Sequence, residues 1–412
     1  MTEYYDNLET RLPEERDRAL AKALPAQIAH AQSRSSYFAD ALGSVDADAV
    51  RDRAALVRLP VLRKETLIER QGTAPPFGGL AAVEDNDILR IFQSPGPIYE
   101  PQTRREDFWR FGRAMFAAGF RRGGGVIHNT FAYHFTPAGA MFDSAGSALQ
   151  CPVFPAGTGQ TELQVRAISQ LRPAYYTGTP SFLNVLLEKA DELGEDVSSL
   201  SRALVTAEPL PPSLVEKFRA RGVEVHQCYG TADLGLIAYE TEAREGLVAD
   251  EGVIIEIVRP GTGEPVPYGE VGEVVVTTLN PDYPLIRFAT GDLSAVLPGQ
   301  CPTGRTNLRI KGWMGRADQT AKVRGMFVHP SQVNDVVKRH PEIVRARLEI
   351  TQHDHRDTMT LRCEVTGMAE GLSERITESV RELCKLRGDV ELVEPDTLAN
   401  DGKVIDDQRT FE

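Results

Sequence analysis

The chain has 412 residues, 41% hydrophobic and 25% charged, with a formal net charge of -13. That length exceeds one small core, so two or three domains are expected. The negative balance argues against nucleic acid or an anionic membrane as the main partner, while leaving room for a local basic channel for an anionic cofactor.

Five cysteines (Cys151, Cys228, Cys301, Cys363 and Cys384) are scattered, with no Cys-x-x-Cys pair. They fit reduced thiols in a cytoplasmic protein rather than a disulfide framework. The acidic first residues carry no apolar run, so no signal peptide is expected. No stretch has the apolar length of a membrane helix.

Over 13–34, Leu20, Ala23, Leu24 and Ile28 recur at helical spacing. A proline-punctuated connection, 59–64, precedes a short helix, and 88–92 reads as a strand. The segment Gln93-Ser94-Pro95-Gly96-Pro97-Ile98-Tyr99-Glu100-Pro101 is a proline-rich loop that cannot be helix. Helix is expected over 108–120, ended by Gly123-Gly124-Gly125. Strand 126–129 leads to the aromatic loop Phe131-Ala132-Tyr133-His134-Phe135. Then come helix 139–149, strand 151–154, helix 161–171, strand 174–177, helix 181–193, strand 203–206, helix 212–221 and strand 224–227. Such alternation implies a parallel sheet covered by helices on both faces. From Val253 the pattern changes to hairpin strands, 253–258 and 272–278. A smaller α+β unit begins near Gln319, with helices 330–339 and 372–386 and strands 344–350, 359–365 and 390–393.

Several stretches could carry chemistry. Thr290-Gly291-Asp292, after the β-branched run 274–278, reads as a tight turn whose carboxylate could accept two hydrogen bonds from a diol such as a ribose. Gly312-Trp313-Met314-Gly315-Arg316-Ala317-Asp318 sets a guanidinium and a carboxylate among small residues, as a hinge or anion contact would. Strand 224–227 runs into Cys228-Tyr229-Gly230-Thr231-Ala232-Asp233, a loop at a strand's carboxyl end, where ligands sit in parallel sheets. Tyr229 could stack on a base, Thr231 could meet phosphate, and Asp233 could hold Mg²⁺. Thr206-Ala207-Glu208-Pro209 follows another strand end. Lys403 stands in Asn400-Asp401-Gly402-Lys403, a flexible turn. The rings of Phe131, Tyr133 and Phe135 suit a planar acid, with core packing as the plain alternative; His134 reads as a hydrogen-bonded structural residue.

In this order the motifs resemble the adenylate-forming superfamily, and within it the phenylacetate–coenzyme A ligase family. Cys228–Asp233 is similar to the superfamily's Tyr-Gly-x-Thr-Glu signature, with Asp233 one methylene shorter. The resemblance implies an α/β fold. Its large domain, 1–317, has helix-covered parallel sheets and a β-hairpin subdomain; a small mobile α+β lid, 318–412, follows. It implies that Ala207, Glu208 and Pro209 lie against adenine, that Asp292 binds the ribose hydroxyls, and that Arg316 approaches the α-phosphate. Cys228, Tyr229, Gly230 and Thr231 line the nucleotide. Asp318 is the hinge, Lys403 neutralises charge during adenylation, and Lys322 and Arg324 could meet coenzyme A phosphates. ATP, Mg²⁺ and coenzyme A are the implied cofactors.

Two departures stand out. The family's phosphate loop is rich in Ser, Thr and Gly, whose backbone N–H groups and hydroxyls close on phosphate. Here only Ser94 and Gly96 remain, prolines remove donors, and Glu100 brings a negative charge. Secondly, many members carry a Cys/His zinc site, whereas this chain keeps only Cys301 of it, so no structural zinc is expected. The expected activity is joining an aryl or arylacetic acid to coenzyme A through an acyl-adenylate. Transfer to an amine or carrier protein, or a non-catalytic nucleotide- or acyl-binding role, are the alternatives. The implied partner is a small carboxylic acid, with no nucleic acid or membrane; a homodimer is an open state.

Overall fold

The computed structural model describes residues 3–94, 97–323, 326–353, 356–367, 369–399 and 403–409. It divides into two compact units, 1–290 with 295–312, and 291–294 with 313–412.

The first unit is built on a nine-stranded sheet. Parallel pairing runs from Val153–Pro155 through Ile127–Asn129, Tyr175–Gly178 and Arg202–Val205 to the first half of Glu224–Thr231. Alternation of side chains sends Tyr175 and Leu204 into one apolar cluster and Tyr176, Ala203 and Val205 into another, so both faces are covered. Connecting helices follow their sequence signals. In Pro180–Leu193, Thr179 Oγ1 accepts from Phe182 N, proline opens the helix, and Gly194 closes it at φ 67°.

Beyond Gln227 the same strand changes partner and pairs antiparallel with Gly235–Glu240, with a register shift between Tyr229 and Gly230. The stretch Cys228-Tyr229-Gly230-Thr231 is therefore strand, not the loop expected from sequence. The turn sits later, over 232–234, and the next strand opens at Gly235 (φ 73°), where a Cβ would come within 2.7 Å of the Trp109 carbonyl oxygen.

A second sheet orders Val253–Val258, Gly272–Thr278 and Phe288–Ser294. Its first pair runs antiparallel from Val253↔Thr278 to Val258↔Glu273. Thr290-Gly291-Asp292 lies inside the third strand, which corrects the expected tight turn. Phe288, Ala289 and Thr290 are buried, and Thr290 Oγ1 donates to Val274 O at 3.0 Å, so this segment is held as strand. The bend comes earlier, at Arg287 (φ 49°). Arg287 is buried, meets Glu256 at 3.0 Å, and donates to the carbonyls of Val57, Leu59 and Gly263.

The second unit has a four-stranded sheet in the order Asp389–Val393, Arg356–Val365, Ile343–His353, Ile405–Asp407. Helices Pro330–Arg339 and Leu372–Cys384 bury Val333, Val336, Leu372, Ile376 and Val380. The last strand was not anticipated. It pairs parallel with the strand Ile343–His353 through Leu348↔Ile405.

Candidate active site

The proline-rich segment forms a β-hairpin, Ile88–Ser94 with Ile98–Thr103, pairing Ser94 with Ile98 and Phe92 with Glu100. Prolines remove helix as an option but leave edge pairing open, which is why the expected loop is strand at both ends. Gly96 lies outside the described residues. Gln71 ties the hairpin to the helix Lys64–Thr73 by exchanging two hydrogen bonds with the Tyr99 backbone, at 2.8 and 2.7 Å.

Ser94 does not project into solvent as a phosphate donor would. It is 7% exposed, and its Oγ donates to Glu100 Oε1 at 3.0 Å. The Glu100 carboxyl in turn faces Asp233; burial first, then the Asp233 charge, raises its pKa well above the usual carboxylate range. Lys64 Nζ stands 3.3 Å from Asp233 Oδ2. Among the described residues, no well-directed hydrogen bond reaches Glu100 Oε2, either oxygen of Asp233, or the buried hydroxyl of Tyr283. Two neighbouring buried carboxyls suit a hard cation, which prefers oxygen ligands. Mg²⁺ therefore fits Asp233, with Glu100 as a neighbour. No group of three or more His, Cys, Asp or Glu gathers as a metal cluster among the described residues.

Ala207 is exposed at φ 70°, a left-handed conformation that a non-glycine residue adopts at a cost. It is held from both sides: Thr206 Oγ1 donates to Cys228 O at 2.8 Å, and Glu208 Oε2 accepts from Ser181 N at 3.3 Å. The turn Ala207-Glu208-Pro209 thus presents exposed backbone at a sheet's carboxyl edge. Cys228 is core; burial pushes its thiol up to about 12, which leaves only its backbone for ligand contact. Tyr229 is nearly buried, and its hydroxyl donates to Thr290 Oγ1 at 3.2 Å. At Gly230 a Cβ would meet Gly235 O at 2.6 Å. Thr231 Oγ1 accepts from Leu234 N at 3.2 Å.

In the aromatic loop the residues separate. Phe131 is buried and stacks on Phe142 at 4.7 Å, so it is core, the plainer of the two sequence readings. Tyr133 is half-buried, accepts from Asn129 Nδ2 at 2.8 Å and donates to Asp143 Oδ1 at 3.2 Å. His134 and Phe135 are exposed, Phe135 by 75% and at φ 61°.

In the second unit, Asp292 Oδ1 accepts from Trp313 Nε1 at 3.1 Å and from Arg316 Nη1 at 3.2 Å. Gly291 stands at φ 75°, and a Cβ there would lie 2.7 Å from Arg316 Nη2. Glycine is thus needed both for the backbone and for the guanidinium above it. Lys403 is exposed and bonds Asp406 Oδ1 at 3.0 Å. Its neighbour Val404 donates to Gln319 Oε1 at 2.8 Å. Asp318 lies in the 3₁₀ turn Ala317–Gln319 and Lys322 in the strand Ala321–Val323; their side chains, and Arg324 entirely, lie outside the described residues.

The AMP-binding enzyme family matches residues 142–280, and the AMP-binding enzyme C-terminal domain matches 325–409. The phenylacetate-coenzyme A ligase of Thermus thermophilus is 31% identical over 409 residues, 93% of this chain and 90% of that one. The chain belongs to the phenylacetate–coenzyme A ligase family. Its Aromatoleum evansii relative of the same name is 27% identical, covering 89% of this chain and 88% of that one. An open 2-hydroxyisobutyryl-CoA ligase, solved with 2-HIB-AMP and CoA, superposes with a TM-score of 0.84 at 24% identity, over 96% of this chain and 92% of that one. The adenylate-forming α/β fold is thereby established.

Within the family frame, three contributors went unseen in the sequence. Lys64 opens an ordinary helix, and only the fold brings it to Asp233. Trp313 lay inside a motif already singled out, yet no spacing rule points its indole at Asp292. Tyr283 sits in a turn-like segment with no signal at all.

Proposed function

We propose that this family member activates an aryl or arylacetic acid with ATP and transfers the acyl group to coenzyme A. It is an AMP-forming acid–thiol ligase working through an acyl-adenylate. The carboxylate attacks the α-phosphorus and pyrophosphate leaves; the coenzyme A thiol then attacks the acyl carbon and AMP leaves. The observation that best supports the reading is Asp292, fixed by Trp313 and Arg316 in a buried strand. A carboxylate oriented in advance loses little on accepting ribose hydroxyls, and a guanidinium beside it suits the α-phosphate.

In this proposal the strained Ala207-Glu208-Pro209 turn receives adenine, together with the backbone of Cys228, Tyr229 and Gly230. Thr231 contacts phosphate. Mg²⁺, held at Asp233, supplies charge neutralisation at the phosphates. Lys403 stabilises the charge that develops during adenylation. Residues 1–317 form the large domain and 318–412 a lid hinged at Asp318, with Lys322 and Arg324 toward coenzyme A phosphates. Tyr133, His134 and Phe135 border the acid, and Phe131 supports them from the core. The acid itself, a cytoplasmic location and a homodimer belong to the same proposal.

Incubation with Mg·ATP, coenzyme A and a panel of carboxylic acids tests it. Pyrophosphate together with an aryl or arylacetyl thioester is the expected outcome. Pyrophosphate without thioester would move the acceptor to an amine or carrier protein. Neither product would leave a nucleotide- or acyl-binding role.

A further inference from the structure

A second cleft lies within the first unit. Its lining comes from the helix Pro13–Arg34, the short helix Arg53–Leu56, the strand Val253–Val258 and the segments around Tyr268 and Leu297, and it measures about 450 Å³. None of the residues assigned above to nucleotide, acid or coenzyme A lines it. Small-molecule sites are of this size and combine apolar walls with a few polar groups.

The walls are largely apolar. Val57, Val266, Leu297 and Leu308 line the cleft and are only partly buried. The ring of Tyr268 joins them and is 78% exposed. Aliphatic surface and an aromatic face left in water favour an apolar body that covers them.

The charges are unevenly matched. Three arginines line the cleft, and two of them are committed: Arg16 to Glu251 at 2.9 Å and Arg309 to Glu245 at 3.2 Å. Arg53 has no carboxylate partner among the described residues; its Nη1 donates to Ile255 O at 2.8 Å. Glu256 lines the cleft as well, but Arg287 holds its two oxygens at 3.0 and 3.1 Å. Asp17 is exposed, where its charge is screened. Arg53 is also exposed, yet desolvation pushes its pKa below the ordinary guanidinium value, against the charges of Tyr268, Glu256 and Asp17. It is thus a cation enclosed by walls and still open to solvent. A guanidinium short of both water and counter-ion is stabilised by an arriving anion, and its planar fork matches a carboxylate with two donors.

We propose that this cleft is a second small-molecule site, which holds the carboxylate of an organic acid on Arg53 and its apolar body against Val57, Val266, Leu297 and Tyr268. The ligand class is a monoanionic acid with an aromatic or alkyl body. Inorganic anions lack the body, and neutral amides lack the charge. The chemistry is independent of the ligase reading. A ligand here leaves the nucleotide-side residues uncovered, so it binds alongside the reactants rather than in place of them.

The test labels the full chain with fluorotyrosine and follows the Tyr268 signal by fluorine NMR, assigned by its loss in Tyr268→Phe. Naphthylacetate and octanoate are the acid probes; naphthylacetamide and inorganic phosphate are the controls. A saturable shift of the Tyr268 signal with one or both acids is expected, and the acid that responds tells an aromatic body from an alkyl one. The amide and phosphate should leave the signal in place. Arg53→Gln should weaken acid binding by about tenfold or more, the scale of a charge-assisted hydrogen bond. No shift with either acid, an equal response to amide or phosphate, or an Arg53→Gln variant that binds as tightly overturns the proposal. Thermal melting checks that each variant is folded. If Arg53→Gln does not fold, Leu297→Glu, which sets a negative charge on the wall, carries the decision: it should abolish the shift, and unchanged affinity counts against the site. Thioester assays stay separate: a working ligase without this shift sinks only the cleft, and the shift without ligation sinks only the ligase reading.

Discussion

Trp313 donates its indole N–H to Asp292 Oδ1 at 3.1 Å, joining a half-exposed ring to a nearly buried carboxylate. Arg316 Nη1 bonds the same oxygen at 3.2 Å. The carboxylate is thus held in orientation by two donors.

Asp292→Ala should weaken AMP binding much more than it weakens folding. Each charge-assisted bond to a ribose hydroxyl is worth roughly 1.5–3 kcal/mol. Trp313→Phe keeps an aromatic ring but loses the donor, and should cost about 0.5–1.5 kcal/mol of nucleotide affinity. Calorimetric titration with AMP reads both; unchanged affinity in Asp292→Ala would remove the residue from the nucleotide site.

Arg287 is a structural counterpart from the same stretch. It is buried against Glu256, whose carboxyl burial pushes up in pKa. Removing one partner leaves a buried charge behind, so Arg287→Ala should destabilise by about 3–5 kcal/mol. Urea denaturation of the first unit measures this. A loss under about 1 kcal/mol, the scale of an exposed pair, would mean that the interaction is far weaker than its burial suggests.

How much of this was legible in the sequence differs from place to place. The end of the helix at Leu193 was, because Gly194 acts within one turn of its own position. The alternation that built the parallel sheet was too. The strand identity of Thr290-Gly291-Asp292 was not, since it comes from pairing with a distant strand while Thr-Gly-Asp locally favours a turn. The strand Ile405–Asp407 is only three residues long and is fixed by Leu348. The facing of Glu100 and Asp233 depends on hairpin register and sheet order together, and no local pattern encodes either.

His226 predicts a pH effect. It lies on the strand Glu224–Thr231, 5% exposed, with neither ring nitrogen hydrogen-bonded. Burial, aided by Arg244, lowers its pKa to about 4. The unfolded chain binds this proton as pH falls below about 6.5, whereas the folded chain resists until about 4. Stability is therefore lost over that window, and nothing is lost from this group above it. Between pH 6.5 and 5 the loss should be about 2 kcal/mol. His226→Leu should flatten the acid side of a melting-temperature profile. An identical profile in the variant would assign the acid sensitivity elsewhere.

Isolated protein should contain no stoichiometric zinc. Cys301 is buried beside the hydroxyls of Thr303 and Thr241, at 3.1 and 3.5 Å. Elemental analysis finding one zinc per chain, resistant to mild chelation, would overturn the reading of this region.

Lys403→Ala should separate the two half-reactions. Lys403 is exposed, pairs with Asp406 at 3.0 Å, and directly precedes Val404, whose N–H is held by Gln319. The backbone after it is pinned by the strand Ile405–Asp407, and the exposed ammonium can exchange its pair with the half-buried Asp406 carboxylate for a phosphate. Adenylation builds negative charge on the α-phosphate and on departing pyrophosphate. Loss of one preorganised donor there typically costs about 10²–10³ in rate, or roughly 2.7–4 kcal/mol. Attack of the coenzyme A thiol on the adenylate instead expels AMP and builds no pyrophosphate charge. Pyrophosphate release should therefore collapse in Lys403→Ala, while thioester formation from supplied acyl-adenylate continues near the wild-type rate. The exposed pair with Asp406 contributes little to stability, so the variant should melt with the wild type. Equal loss of both half-reactions, in a variant that still folds, would make Lys403 a structural residue and leave adenylation without its proposed cation.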